Sequence, residues 1–180
     1  MAETARYSCS IAAALLLGCG GVAFAQAPPV TPASPQPAAP ETARAPDARV
    51  EANLKAASLA YTLDGGDFRL NFDLPNGRSQ LVWVASSTAT LDKLEIRDVW
   101  SVAYRAKGAL PYEMSLRLLM ENARMILGAW QVNQGSDEYL VVFSAPIVAT
   151  ADAATLQEVI EVVTLSADRI EKELTGKDEF

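Results

Sequence analysis

Between Pro111 and Ile147 the spacing of apolar residues changes twice, and each change marks an element. Leu116, Leu119, Met120, Ala123, Ile126 and Leu127 recur at steps of three and four, while Glu113, Arg117, Glu121 and Arg124 fall off that stripe. Such a period predicts one helix that buries the stripe. Pro111 suits its first turn, where a missing amide costs nothing, and Gly128 suits its end, where a left-handed residue satisfies the last carbonyls. Trp130-Gln131-Val132 then predicts a short strand, Asn133 to Asp137 a hairpin loop and Tyr139 to Pro146 a second strand. Tyr139 to Phe143 is apolar throughout instead of alternating, which predicts a central strand covered on both faces by helices or by a partner subunit.

The flanking sequence supplies the rest of a small domain. Val50, Leu54, Ala57 and Tyr61 share one side of a first helix, closed by Asp64-Gly65-Gly66. Phe68, Leu70, Phe72 and Leu74 alternate with Arg69, Asn71 and Asp73, the signature of a half-buried strand. Pro75-Asn76-Gly77-Arg78 predicts a tight turn into the antiparallel partner Gln80 to Ala85, because Asn-Gly readily takes positive φ. Lys93 to Trp100 predicts a third strand, and Ser101 to Leu110 an irregular connection. Asp152 offers a helix N-cap. Leu156, Ile160, Val163, Ala167, Ile170 and Leu174 form the seam of a last helix whose outer face carries Glu158, Glu161, Asp168 and Glu171. The order α-β-β-β-α-β-β-α predicts an α+β fold, an antiparallel sheet with helices packed on it. The domain spans residues 49–175, with 176–180 expected as a disordered tail.

Outside that span the composition shifts. Arg6 precedes the apolar run Ile11 to Gly18, and Ala23-Phe24-Ala25 is a small-x-small site that predicts signal-peptide cleavage between Ala25 and Gln26. Leu16-Leu17-Gly18-Cys19 offers the alternative of a lipobox with Cys19 lipidated. Residues 1–25 are thus read as a leader, with no membrane span left after its removal. Most of the 10 prolines lie in residues 26–48, a Pro/Ala-rich segment that cannot bury enough apolar surface to order itself. The expected location is the periplasm, with attachment to the membrane through Cys19 as the alternative.

Charge and residue chemistry narrow the function classes. With 15 basic and 22 acidic residues the net charge is −7, which argues against nucleic acid as a partner. The count of His is 0, which removes imidazole triads and His-ligated zinc together. The 2 cysteines, Cys9 and Cys19, both lie in the leader, so cleavage after Ala25 leaves no thiol. Neither a G-x-S-x-G elbow nor a phosphate-binding glycine loop occurs, and no cofactor or metal is implied. Asp64 and Asp67 flank a glycine turn, where turn chemistry explains them. Trp83, Trp100 and Trp130 fall on expected strands and read first as sheet packing. Trp100, Tyr104 and Trp130 are the candidate contact residues for a polypeptide partner.

The element order, the Asn-Gly hairpin after Phe68-Arg69-Leu70-Asn71-Phe72, the helix running through Leu119 to Trp130 and the final helix after Tyr139 to Pro146 resemble the YbjN family. That family is described as regulators of bacterial sensory transduction with the fold of type III secretion chaperones. The resemblance implies a protein-binding domain, often a homodimer, without catalytic residues. The expected function is an exported, non-enzymatic module that binds a polypeptide through apolar sheet or helix surface. A small-ligand-binding sensory domain and a self-associating subunit of an envelope assembly are the alternatives.

Overall fold

The structure, a computed structural model, describes residues 44–135 and 138–180. The expected leader with Cys19 and Ala25, and Gln26 with most of the Pro/Ala-rich segment, lie outside the described residues. The elements are α1 (Ala48–Ala56), β1 (Thr62–Asp64), β2 (Asp67–Leu74), a 3-10 turn (Pro75–Gly77), β3 (Arg78–Val84), β4 (Ala89–Leu91), β5 (Leu94–Ala106), α2 (Tyr112–Asn122), β6 (Ala129–Gln134), β7 (Tyr139–Val148) and α3 (Ala153–Thr175). The strands form one antiparallel sheet in the order β1-β2-β3-β5-β7-β6, with β4 paired to the start of β5. The fold is α+β, as the pattern predicts.

One face of the sheet, here the helix face, carries the main core. Phe68, Leu70, Val82, Val84, Val99, Val141, Phe143 and Ala145 pack there against Val50 and Leu54 of α1 and Leu156, Ile160, Val163, Ala167 and Ile170 of α3. Removing such side chains from water contributes roughly 2 kcal/mol each. Asp152 caps α3 by accepting from the Thr155 amide at 2.8 Å, and Gly176 ends it in the left-handed conformation. The opposite, open face holds a smaller apolar cluster of Val102, Val142 and Phe180, flanked by Trp83, Trp100 and Leu140. β7 is therefore covered on both sides, which is why its sequence does not alternate.

Several expectations are corrected. α1 stops at Ala56, and Ser58 at φ 56° turns the chain so that Leu59 packs back on the core. Tyr61 lies beyond the helix, edge-on to the ring of Phe68 at 5.1 Å, and Gly65-Gly66 closes a β1–β2 hairpin instead of the helix. The short strands β1 and β4 are wholly exposed and so leave no alternating pattern to read. β5 continues through the stretch expected to be irregular, because a bulge between Val102 and Tyr104 breaks its alternation. That bulge turns both Ala103 and Tyr104 to the helix face, whereas Trp100 and Val102 face the open side. Glu171, expected on the outer face of α3, is fully buried, and its carboxylate meets Arg78 Nη2 at 3.0 Å.

Two polar arrangements tie distant elements together. Arg97, 3% exposed, donates to Asp47 Oδ2 at 2.7 Å and to the Ala85 carbonyl at 2.8 Å. Asp47 also caps α1 by accepting from the Arg49 amide, and Arg49 reaches on to Glu95. The Arg49 and Arg97 guanidinium groups hold the Asp47 carboxyl well below the usual carboxylate range. Hydrogen bonds from Arg49 and then Thr88 bring Glu95 down to about 2.

The second arrangement sits where the sheet divides. β3 pairs with β5 only at Trp83–Trp100 and Val84–Val99, so the strands part below that point. Gln80 spans the gap, its Nε2 donating to Ser101 Oγ at 2.8 Å and to the Val102 carbonyl at 2.9 Å. Residues 177–180, expected to be a disordered tail, lie at the mouth of this split, fixed by hydrogen bonds to β3 and α3.

Candidate polypeptide-binding surface

The three aromatic residues proposed from sequence as partner contacts are not brought together. Trp100 stands half-buried on the open face, stacked on Trp83 with centroids 4.6 Å apart and planes 7° apart. Trp83 Nε1 donates to Asp64 Oδ2 at 3.0 Å. Tyr104 is on the other side of the sheet, half-buried against the main core. Trp130 is only 6% exposed and packs on Phe143 beneath α2, so its burial corrects its assignment as a contact residue.

The apolar surface left in solvent lies on α2 and β6. α2 seats Leu118 in the core and rests Met114 against it, which uses a different face from the one its sequence favours. Of the stripe expected to be buried, Leu127 packs against the core and the rest points outward. Leu119 is 64% exposed, Met120 57% and Leu116 41%, and Ile126 just beyond the helix is fully exposed. The helix is apolar on two faces, and the sheet has room for only one of them. Its end differs too: α2 stops at Asn122, and Gly128, at φ +80°, begins the turn into β6. A Cβ on Gly128 would stand 2.7 Å from the Phe143 ring, so this glycine is required by close approach as well as by backbone conformation.

β6 is the sheet edge beside that stripe. The Asn122 side chain binds it as a neighbouring strand would: Trp130 N donates to Oδ1 at 2.7 Å and Nδ2 donates to the Trp130 carbonyl at 3.2 Å. By the two-residue alternation of an antiparallel ladder, the backbone groups of Val132 and Gln134 also turn away from β7. Val132 is 48% exposed, and Gln131 to Gln134 carry no charge, proline or bulge of the kind that blunts an edge.

Grooves run along both sides of α2. One of about 610 Å³ separates it from α3, with Leu116, Met120 and Met125 among Glu113, Arg117, Glu121, Arg124 and Arg169. Arg169 pairs with Glu121 and Arg117 with Glu173, fixing the two helices at a distance. The other, about 210 Å³, lies between α2 and β6 and is lined by Ser115, Leu118, Leu119, Trp130, Gln131 and Val132. Together these give an elongated surface with an apolar stripe, a charged margin and an unpaired strand edge. Sequence reasoning missed Leu119, Met120 and Val132 as surface residues. The signal was present in Met114 and Leu118, a second apolar line on the same helix that competes for the core. Among the described residues, no group of three or more Cys, Asp or Glu side chains is placed to hold a metal ion, and no helix is long and apolar enough to cross a membrane.

No protein-family model matches the chain, and no curated protein matches it. Among solved structures it is similar to YbjN from E. coli, described there as a candidate transcription regulator. The identity is 10%, with 69% of this chain and 88% of that chain covered and a TM-score of 0.48. The α+β class rests on the sheet and helices described above.

Proposed function

We propose that this protein is an exported, non-enzymatic module that binds a polypeptide along α2 and the outer edge of β6. The observation that carries the reading is the exposed stripe Leu116, Leu119 and Met120 beside an uncharged edge strand. Contiguous apolar surface of this kind marks interaction sites, and an open edge accepts an added strand through main-chain hydrogen bonds. The leader and the Pro/Ala-rich segment read from the sequence support a periplasmic module with a Pro/Ala-rich tether, with Cys19 lipidation as the form anchored at the membrane.

A second copy of the chain is the other occupant the surface favours, because the edge has no charge to repel its own image. A photo-crosslinker at Leu119 in the exported protein tests both. The expected result is a covalent adduct with a discrete polypeptide that is lost in Val132→Lys and retained in a control carrying Lys93→Glu. Adducts containing only this chain would assign the surface to self-association. No polypeptide adduct at all would defeat the reading.

A further inference from the structure

The segment from Lys177 to Phe180 behaves as a ligand would. It leaves α3 at Gly176 on the helix face and ends on the open face, where the Phe180 ring joins Val102 and Val142 and is 7% exposed. The contacts follow a pattern. Asp178 accepts from the Ser79 amide at 3.0 Å and from Ser79 Oγ at 3.3 Å, and lies 4.0 Å from Arg78 Nη2. Arg78 Nη1 donates to the Lys177 carbonyl at 2.6 Å. Glu171 Oε1 accepts from the amides of Glu179 and Phe180, and the Arg105 guanidinium stands 5.1 Å over the Phe180 ring.

The split that receives this segment is built to bind and is not closed by its own strands. β3 and β5 present separated edges, and Gln80, with no exposure, places an oxygen there that lacks any hydrogen-bond partner. That acceptor stays unpaired with the segment docked, so the segment is held by its contacts to Arg78, Ser79 and Glu171. Lys177, Asp178 and Glu179 are themselves exposed, so one aromatic ring and a few hydrogen bonds hold the segment.

We infer that the split between β3 and β5 is a second peptide-binding site, occupied in this structure by the chain's own Lys177–Phe180 as an internal ligand. Its preferred occupant is an extended segment with a carboxylate two residues before an aromatic ring. Arg78, the Ser79 amide and Arg105 read that pattern, and the aromatic ring packs on Val102 and Val142. The inference is independent of the α2–β6 surface, and either can fail alone.

The test uses the full chain carrying Asp178→Ala and Phe180→Ala and a synthetic peptide of residues 175–180, TGKDEF. Emission of Trp83 and Trp100, which flank the Phe180 cluster, reports binding. The variant is expected to bind the peptide at least tenfold more tightly than the unsubstituted chain does. A peptide lacking the aspartate or the phenylalanine should lose that binding. Equal binding by both chains, or none by a variant with native circular dichroism, overturns the inference. Should the variant not fold, hydrogen exchange of the unsubstituted chain decides. Faster exchange at Glu179 and Phe180 than at Val142 supports a displaceable segment, and exchange only with global unfolding overturns it.

Discussion

Arg97 and Asp47 meet at 2.7 Å across a sequence separation of 50 residues, joining the cap of the first helix to the first half of β5. The guanidinium is nearly inaccessible, so it depends on Asp47 for its counter-charge. Replacing Asp47 with Ala leaves that charge buried and also removes the α1 cap. The expected loss is about 4 kcal/mol. Arg49→Ala removes a half-exposed, solvent-screened partner of the same carboxylate and should cost far less. Urea unfolding at pH 7 distinguishes the two.

The same cluster sets an acid sensitivity. Asp47 and Glu95 both have folded-state values below those of an unfolded chain, about 2 for Glu95. A lowered carboxylate contributes stability that is fully present above its unfolded value and is lost as pH falls through the folded one. Unfolding free energy should therefore be flat from pH 7 down to about pH 5, then fall steeply toward pH 2. In Asp47→Ala the fall between those values should be shallower. An unchanged slope would remove this cluster as its source.

Two glycines with nearly the same backbone angle should behave differently. Gly77 at φ +72° has no neighbour within 4 Å of an added Cβ, while at Gly128, φ +80°, that atom would meet the Phe143 ring at 2.7 Å and the Ser144 carbonyl at 3.0 Å. Gly77→Ala should cost about 1 kcal/mol, the backbone effect alone. Gly128→Ala adds overpacking against a buried ring, for a total of about 3 kcal/mol. Thermal unfolding of the two variants measures the difference.

The elements that were legible from sequence are those whose side chains face one environment. Phe68, Leu70, Leu156, Ile160 and Val163 show their periods because each meets a single core, and Asp152 marks a helix start by local chemistry. β1 and β4 were invisible because no residue in them is buried. Two other failures have a shared cause. Along α2 the denser apolar stripe was assigned to the core, yet Leu118 and Met114 took that place, since the sheet offers only one contact. At the split, Glu171 and Arg78 read as surface charges until α3 is laid over β3. Neither the aromatic contact set nor the docked end of the chain follows from local spacing, because both depend on strands brought together from far apart in sequence.

The extra residue in β5 gives that strand two reading frames. As far as Val102, even-numbered side chains look to the open face; beyond it, Arg105 does, and Tyr104 does not. Deleting Ala103 would remove the bulge and leave Tyr104 opposite Val141 and Arg105 opposite Leu140, each on the face it now occupies. A ladder that kept Ala103 and paired it with Val141 would instead drive the Arg105 guanidinium in among the apolar residues under α3 and set a phenol over Phe180. The chemical character of both faces at this end of the sheet is thus decided by which residue is left unpaired, and a one-residue slip of register would exchange them without altering a single side chain's identity.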